Sequence, residues 1–203
     1  MEHSPPNFAG RLAKYLYDIS RAGSEAGRAF HFLEFVRGVY REVDMEYLER
    51  LHPDLERHIK LKNKTLMVRG RVDAFLGNLI IEFEQNLDVA KLEEARSQLK
   101  RYVSILWSQN AKVRTPYLAM AGDGNNFIVY RPRTRIIEGN TVLTEEVLLD
   151  EIDRIDLRRI KPGDAFAWID RYVLYRTRQS ATAENISREF GLLPVSPRAL
   201  GLG

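Results

Sequence analysis

The chain predicts an α/β domain, a mixed four-stranded sheet flanked by helices, with more helix after the sheet. Three observations point there. Stretches with apolar residues at helical spacing alternate with short runs of strand-like residues. The pair Gly77-Asn78 separates two such runs, as a hairpin turn does. The 203 residues, 44% of them apolar and 29% charged, suffice for one packed domain with an appendage.

The elements follow in order. Residues 1–9, with Pro5-Pro6, read as a loose start. A short helix is expected over Leu12–Ile19. Ser24 caps a longer one reaching about Leu51, its apolar stripe formed by Ala26, Phe30, Leu33, Val36, Tyr40 and Val43. Pro53 ends it. Strands are expected at Thr65–Leu76 and Leu79–Gln85. Asp88 caps a helix from Val89 to about Trp107, with Val89, Leu92, Leu99, Tyr102, Val103 and Leu106 inward. Further strands are Thr115–Ala121 and Asn126–Tyr130, joined by an Asp123-Gly124 turn, and Arg131-Pro132 closes the sheet. A helix over Glu145–Ile160 follows, broken by Pro162-Gly163. Asp164 caps a last helix with Ala165, Trp168, Ile169, Tyr172 and Tyr175 inward. The remainder contains one short helix at Ala183–Phe190 and a tail punctuated by Pro and Gly. The expected division is thus a core at 1–135, a helical extension at 136–178 and a linker-like tail at 179–203.

The hairpin Gly70–Glu84, GRVDAFLGNLIIEFE, organises the rest. If residues 77 and 78 form the loop, positions summing to 155 face each other. Asp73 then opposes Glu82, and Arg71 opposes Glu84. Asp73, Glu82 and Glu84 share one face; Ile81 and Phe83 take the other, with Ala74 and Val72 as partners. Like charges across a sheet cost stability. Either the face is solvated and balanced by Arg69 and Arg71, or a divalent cation relieves the repulsion, since Mg²⁺ binds through one or two carboxylates plus water and phosphate oxygens.

Other features bound the function. With no cysteine there is no thiolate site, disulfide or cysteine nucleophile. No run is long enough to span a membrane, and the N-terminus lacks a signal pattern, so a cytoplasmic protein is expected. The net charge is only +3, but Arg57–Arg71 holds Arg57, Lys60, Lys62, Lys64, Arg69 and Arg71 without an acid. A solvated surface is the common meaning of such a run. One leading straight into an acidic hairpin also suits an anionic substrate brought to a metal.

The order helix, hairpin, helix, hairpin, with Asp73 on one strand and Glu82-Phe83-Glu84 on the next, resembles the PD-(D/E)xK nuclease superfamily. Gln98-Leu99-Lys100-Arg101-Tyr102 on the following helix resembles the QxxxY element of its RecB-like members. The likeness covers roughly Ala26–Tyr130 and implies a restriction-endonuclease-like core of αβββαβ type. It implies an endonuclease dependent on Mg²⁺, with Mn²⁺ as substitute, acting on double-stranded DNA. Asp73 and Glu82 would hold the metal, with the Phe83 carbonyl completing the shell and Glu84 binding metal or acting as base. Gln98 and Tyr102 would sit near the metal or scissile phosphate, and Glu34 would add an acid from the first long helix. Lys60, Lys62, Lys64, Arg69 and Arg71 are the candidate DNA contacts, setting affinity more than sequence choice.

The family lysine is Glu84 here. Some restriction enzymes with Glu at that position remain active. The positive charge could come from Lys91 or Lys100, or a second metal could do its work. The architecture and tail also resemble the N-terminal nuclease part of large restriction–modification enzymes, implying a linked DNA methyltransferase. Double-strand cleavage implies pairing into a homodimer. Two other readings stay open: a degenerate nuclease-fold module that binds DNA or assembles complexes, and an α/β scaffold with no nucleic-acid partner.

Overall fold

The computed structural model describes residues 4–43, 54–55, 58–62, 67–71, 74–76, 78–109, 115–137 and 139–173, and for 42–43, 54–55, 58–62, 67–71 and 74–75 the backbone alone. Four α-helices are described: α1 (Phe8–Arg21), α2 (Glu25–Val43), α3 (Val89–Gln109) and α4 (Pro162–Tyr172). The strands are β1 (Asp54–Leu55), β2 (His58–Lys62), β3 (Met67–Arg71), β4 (Ala74–Leu76), β5 (Leu79–Phe83), β6 (Leu118–Gly122), β7 (Asn126–Arg133) and β8 (Leu148–Asp156).

One sheet has the order β1-β4-β5-β6-β7-β8, and β2-β3 forms a separate two-stranded ribbon. The four strands expected from sequence correspond to β4, β5, β6 and β7, contiguous at the centre. Among the described strands of this sheet, only β5 and β6 are parallel. α3 connects them, as a parallel pair requires a long crossover. The hairpin register is the predicted one: Ala74 pairs with Ile81, Phe75 with Ile80, Leu76 with Leu79.

Each side of β5 meets a different layer. Leu79, Ile81 and Phe83 join a core with α1, α2 and α4. That core is aromatic: Phe32 lies 5.6 Å from Phe83 and 4.9 Å from Phe127, and Phe127 lies 6.0 Å from Trp168. Gly122 makes this packing possible. It pairs with both Phe83 and Phe127, and a Cβ there would come within 2.4 Å of the Phe127 ring. Ile80 instead packs beneath α3 with Ala95, Leu99, Tyr102 and Val103.

Several expectations are corrected. The expected strand Thr65–Leu76 is two strands, β3 and β4, in different sheets, so Arg71 pairs with His58 of the ribbon and not with Glu84. The start is not loose as far as residue 9: α1 begins at Phe8, which is fully buried against Phe35 and Phe166. Ser24 caps α2 as expected, its Oγ accepting from the Gly27 N–H at 3.1 Å. The buried face of α2 is wider than the expected stripe and shifted: Leu33, Val36 and Tyr40 are buried as expected, but Phe30 is 56% exposed while Phe32, Phe35 and Val39 are buried, because Phe32 meets the Phe83 and Phe127 rings of the sheet and Phe35 meets Phe8 and Tyr15 of α1. Val89 is 83% exposed in the first turn of α3.

The largest correction concerns the expected helix Glu145–Ile160 and, with it, the helical extension from residue 136. That segment is a 3₁₀ turn, Thr144–Glu146, followed by β8. β8 adds a sixth strand to the sheet, so the domain core runs past residue 135. A bulge between Val129 and Tyr130 pairings leaves Ile152 as an extra residue. Leu149 therefore packs on the α3 side while Ile152 and Ile155 pack on the opposite side, and the apolar spacing of three imitates a helix. Pro132 does not end the sheet, because β6 pairing stops at Tyr130 and a missing N–H is tolerated where β7 has one neighbour. Pro162 starts α4 at its first position, where no N–H is needed, so Asp164 lies inside the helix instead of capping it. The expected short helix at 183–190 and the tail lie outside the described residues.

Candidate functional site

The carboxyl ends of the two parallel strands carry a group of ionisable residues. β5 is buried at every position, LIIEF, including Glu82 at 4% exposure. Strand alternation places Glu82 with Ile80 on the α3 side. One residue past β5, the Glu84 N–H donates to the Gly122 carbonyl at 2.9 Å, which holds Glu84 beside β6. Its side chain is 3% exposed.

A buried carboxylate resists ionisation. Burial raises the Glu84 pKa, Lys91 opposes the rise, and the charges of Glu25 and Glu94 add to it. The Lys91 ammonium lies 3.1 Å from Glu84 Oε2 and 2.9 Å from Glu94 Oε2, and these partners hold it firmly protonated. Lys91 owes its place to Asp88, whose Oδ1 accepts from the Lys91 N–H at 2.9 Å and starts α3.

Lys91, Gln98 and Tyr102 lie along one stripe of α3, seven and four residues apart, their directions within roughly 40° at 3.6 residues per turn. The Tyr102 hydroxyl donates to Gln98 Oε1 at 3.1 Å, so the glutamine amide carbonyl is fixed by a buried phenol. The shared face expected of Gln98 and Tyr102 is observed.

Glu34 sits on the exposed side of α2 in an ion pair with Arg37. The α2 acid that acts on Glu84 is Glu25, in the first turn, nine residues and roughly 13 Å along the helix. Sequence reasoning missed it because an acid just after a cap is the usual complement to the helix dipole. Arg28, one turn on, donates to the Asp123 carbonyl. Asp123 closes the β6–β7 turn, its Oδ1 accepting from Asn125 and Asn126 N–H at 2.9 and 2.7 Å. Gly124 follows at φ +88°, where its carbonyl receives the Tyr15 hydroxyl. The end of α2 nearest the site is thus anchored to the end of β6. Phe83 turns its ring into the aromatic layer, leaving only its backbone for a role near the carboxylates.

Asp73 and Lys64 lie outside the described residues. Lys60, Lys62, Arg69 and Arg71 belong to the ribbon. Among the described residues, no three acids or histidines are grouped to hold a metal ion. Glu82 and Glu84 do supply hard oxygen donors, the chemistry a Mg²⁺ site needs, and the crowding of Glu25 and Glu94 around Glu84 is what a cation would relieve. No described helix is long and apolar enough to cross a membrane. Compared with family models, curated proteins and solved structures, the chain has no match.

Proposed function

We propose that the chain is an endonuclease of the PD-(D/E)xK type, hydrolysing DNA phosphodiesters with Mg²⁺, and that it is the cleavage module of a restriction or restriction–modification enzyme. The observation that carries this reading is the Lys91–Glu84 contact at 3.1 Å. The residue pattern has a glutamate where the family has lysine, and α3 brings an ammonium against that glutamate.

Asp73 and Glu82 would hold the cation, with Glu84 as a further ligand. When bound, the cation would lower the pKa of water and stabilise charge on the phosphate. Lys91 orients the Glu84 carboxylate and keeps a positive charge beside it. The Gln98 carbonyl, fixed by Tyr102, positions water or a backbone oxygen at the mouth of the site. Burial, with the charges of Glu25 and Glu94 adding to it, raises the pKa of Glu84 and makes it a better proton acceptor.

Supercoiled plasmid incubated with Mg²⁺ or Mn²⁺ tests the reading. Nicking or linearisation is expected from the wild-type chain, absent with EDTA and absent in Asp73→Ala and Glu82→Gln. No cleavage with either ion, or cleavage unchanged in both variants, contradicts it. The degenerate-module reading predicts DNA binding with neither ion giving cleavage.

A further inference from the structure

From the β2–β3 ribbon we infer that the chain engages duplex DNA by laying this ribbon into the major groove. The ribbon is an excursion between β1 and β4, which are themselves neighbours in the main sheet. Its register pairs His58 with Arg71, Lys60 with Arg69 and Lys62 with Met67. Cross-strand partners share a face, and residues two apart along a strand share it too. Positions 58, 60, 62, 67, 69 and 71 therefore make up one face, bearing His, Lys, Lys, Met, Arg and Arg. Positions 59, 61, 68 and 70 make up the other, bearing Ile, Leu, Val and Gly. The linear sequence shows only a basic run; the pairing sorts it into an apolar face and a cationic one with no acid.

Both ribbon strands lie against α3. The hydrophobic effect favours the apolar face for that contact, whereas burying four permanent cations would cost several kcal/mol each. α3 is also buried without interruption from Tyr102 to Trp107, where it meets Thr115, Val142 and Thr144.

The shape selects the partner. Two strands about 4.8 Å apart, roughly 17 Å long, fit a major groove about 12 Å wide, while the narrow major groove of A-form RNA does not admit them. Lys and Arg suit both phosphates and the guanine edge. The choice of DNA among polyanions rests on the nuclease reading. Because the ribbon and Lys91 are both tied to α3, DNA held by one is registered against the other.

Fluorescence anisotropy of the full chain in EDTA, with a short labelled DNA duplex, separates the two ideas because it reads binding without cleavage. Lys60→Gln combined with Arg69→Gln is expected to weaken duplex binding about 10- to 100-fold. The same pair should flatten the log K against log salt slope by about 1.8, because two fewer phosphates are neutralised. Lys62→Gln with Arg71→Gln repeats the test should the first pair fail to fold by circular dichroism. Arg158→Ala, a surface arginine paired with Asp156, is the control and leaves binding unchanged. Wild-type binding to the matching RNA duplex, or to heparin, is expected to be weaker and less sensitive to the ribbon substitutions. Duplex binding that both ribbon pairs leave intact overturns the inference even if the chain cleaves DNA. Equal loss on DNA, RNA and heparin overturns groove docking in favour of general charge attraction. Ribbon-dependent DNA binding by a chain that never cuts sustains it while the nuclease reading falls.

Discussion

The two sides of β5 differ in what they bury. Toward α1, α2 and α4 the strand presents Leu79, Ile81 and Phe83 to an apolar core rich in aromatic rings. Toward α3 the same strand presents Ile80 and then Glu82, and the chain adds Glu84 as it leaves the sheet. Five consecutive buried residues thus serve one face that supplies stability and another that spends some of it on buried charge. A buried carboxylate destabilises a fold unless it is paired or put to use. The contrast is why the proposed site is put on the α3 side.

Substitutions that break this contrast should separate stability from activity. Glu82→Gln is expected to give the largest loss, at least ~10³-fold in cleavage of plasmid by initial rate, with a melting temperature in EDTA equal to or above that of the wild type, because it removes a share of the several kcal/mol that a metal contributes and a buried charge with it. Phe127→Ala attacks the other side. It should cost about 3–5 kcal/mol in urea unfolding, since the ring touches Phe32, Phe83 and Trp168 and is fully buried. Lys91→Met should lower cleavage by about 10- to 100-fold and move the pH–rate profile to higher pH, with Lys91→Arg restoring part of the rate. Asp88→Ala, which loses the cap that sets Lys91, should cost about 1 kcal/mol by thermal unfolding.

Glu84 sharpens the comparison through pH. Its folded pKa is raised, chiefly by burial, so the folded state holds a proton over a range where the unfolded state has lost it. Stability in EDTA should then fall as pH rises from the ordinary glutamate value through the raised one. Glu84→Gln should remove that slope and leave the protein more stable at neutral pH.

The hairpin was readable because its signals are local: a two-residue turn and alternation on both sides placed Ala74 opposite Ile81. The caps Ser24 and Asp88 were readable for the same reason. β8 was not, because a bulge moved its apolar residues between faces and produced a helical period. The ribbon was hidden by continuity: nothing in Thr65–Leu76 marks the change of sheet between β3 and β4. In the site, Glu82, Glu84, Gln98 and Tyr102 could be picked out by spacing. Glu25 could not, since its closeness to Glu84 depends on how α2 packs across the sheet, and Glu34 was named only because the resemblance implies an acid from the first long helix.

Titration with Mn²⁺, followed by the electron paramagnetic resonance signal of the free ion, tests most directly whether the carboxylates at the end of β5 grip a cation. The wild-type chain should withdraw Mn²⁺ from solution at sub-millimolar concentration and Glu82→Gln should not, while both fold alike. If neither protein binds at millimolar Mn²⁺, or both bind equally, the carboxylates are not a metal site and the account fails.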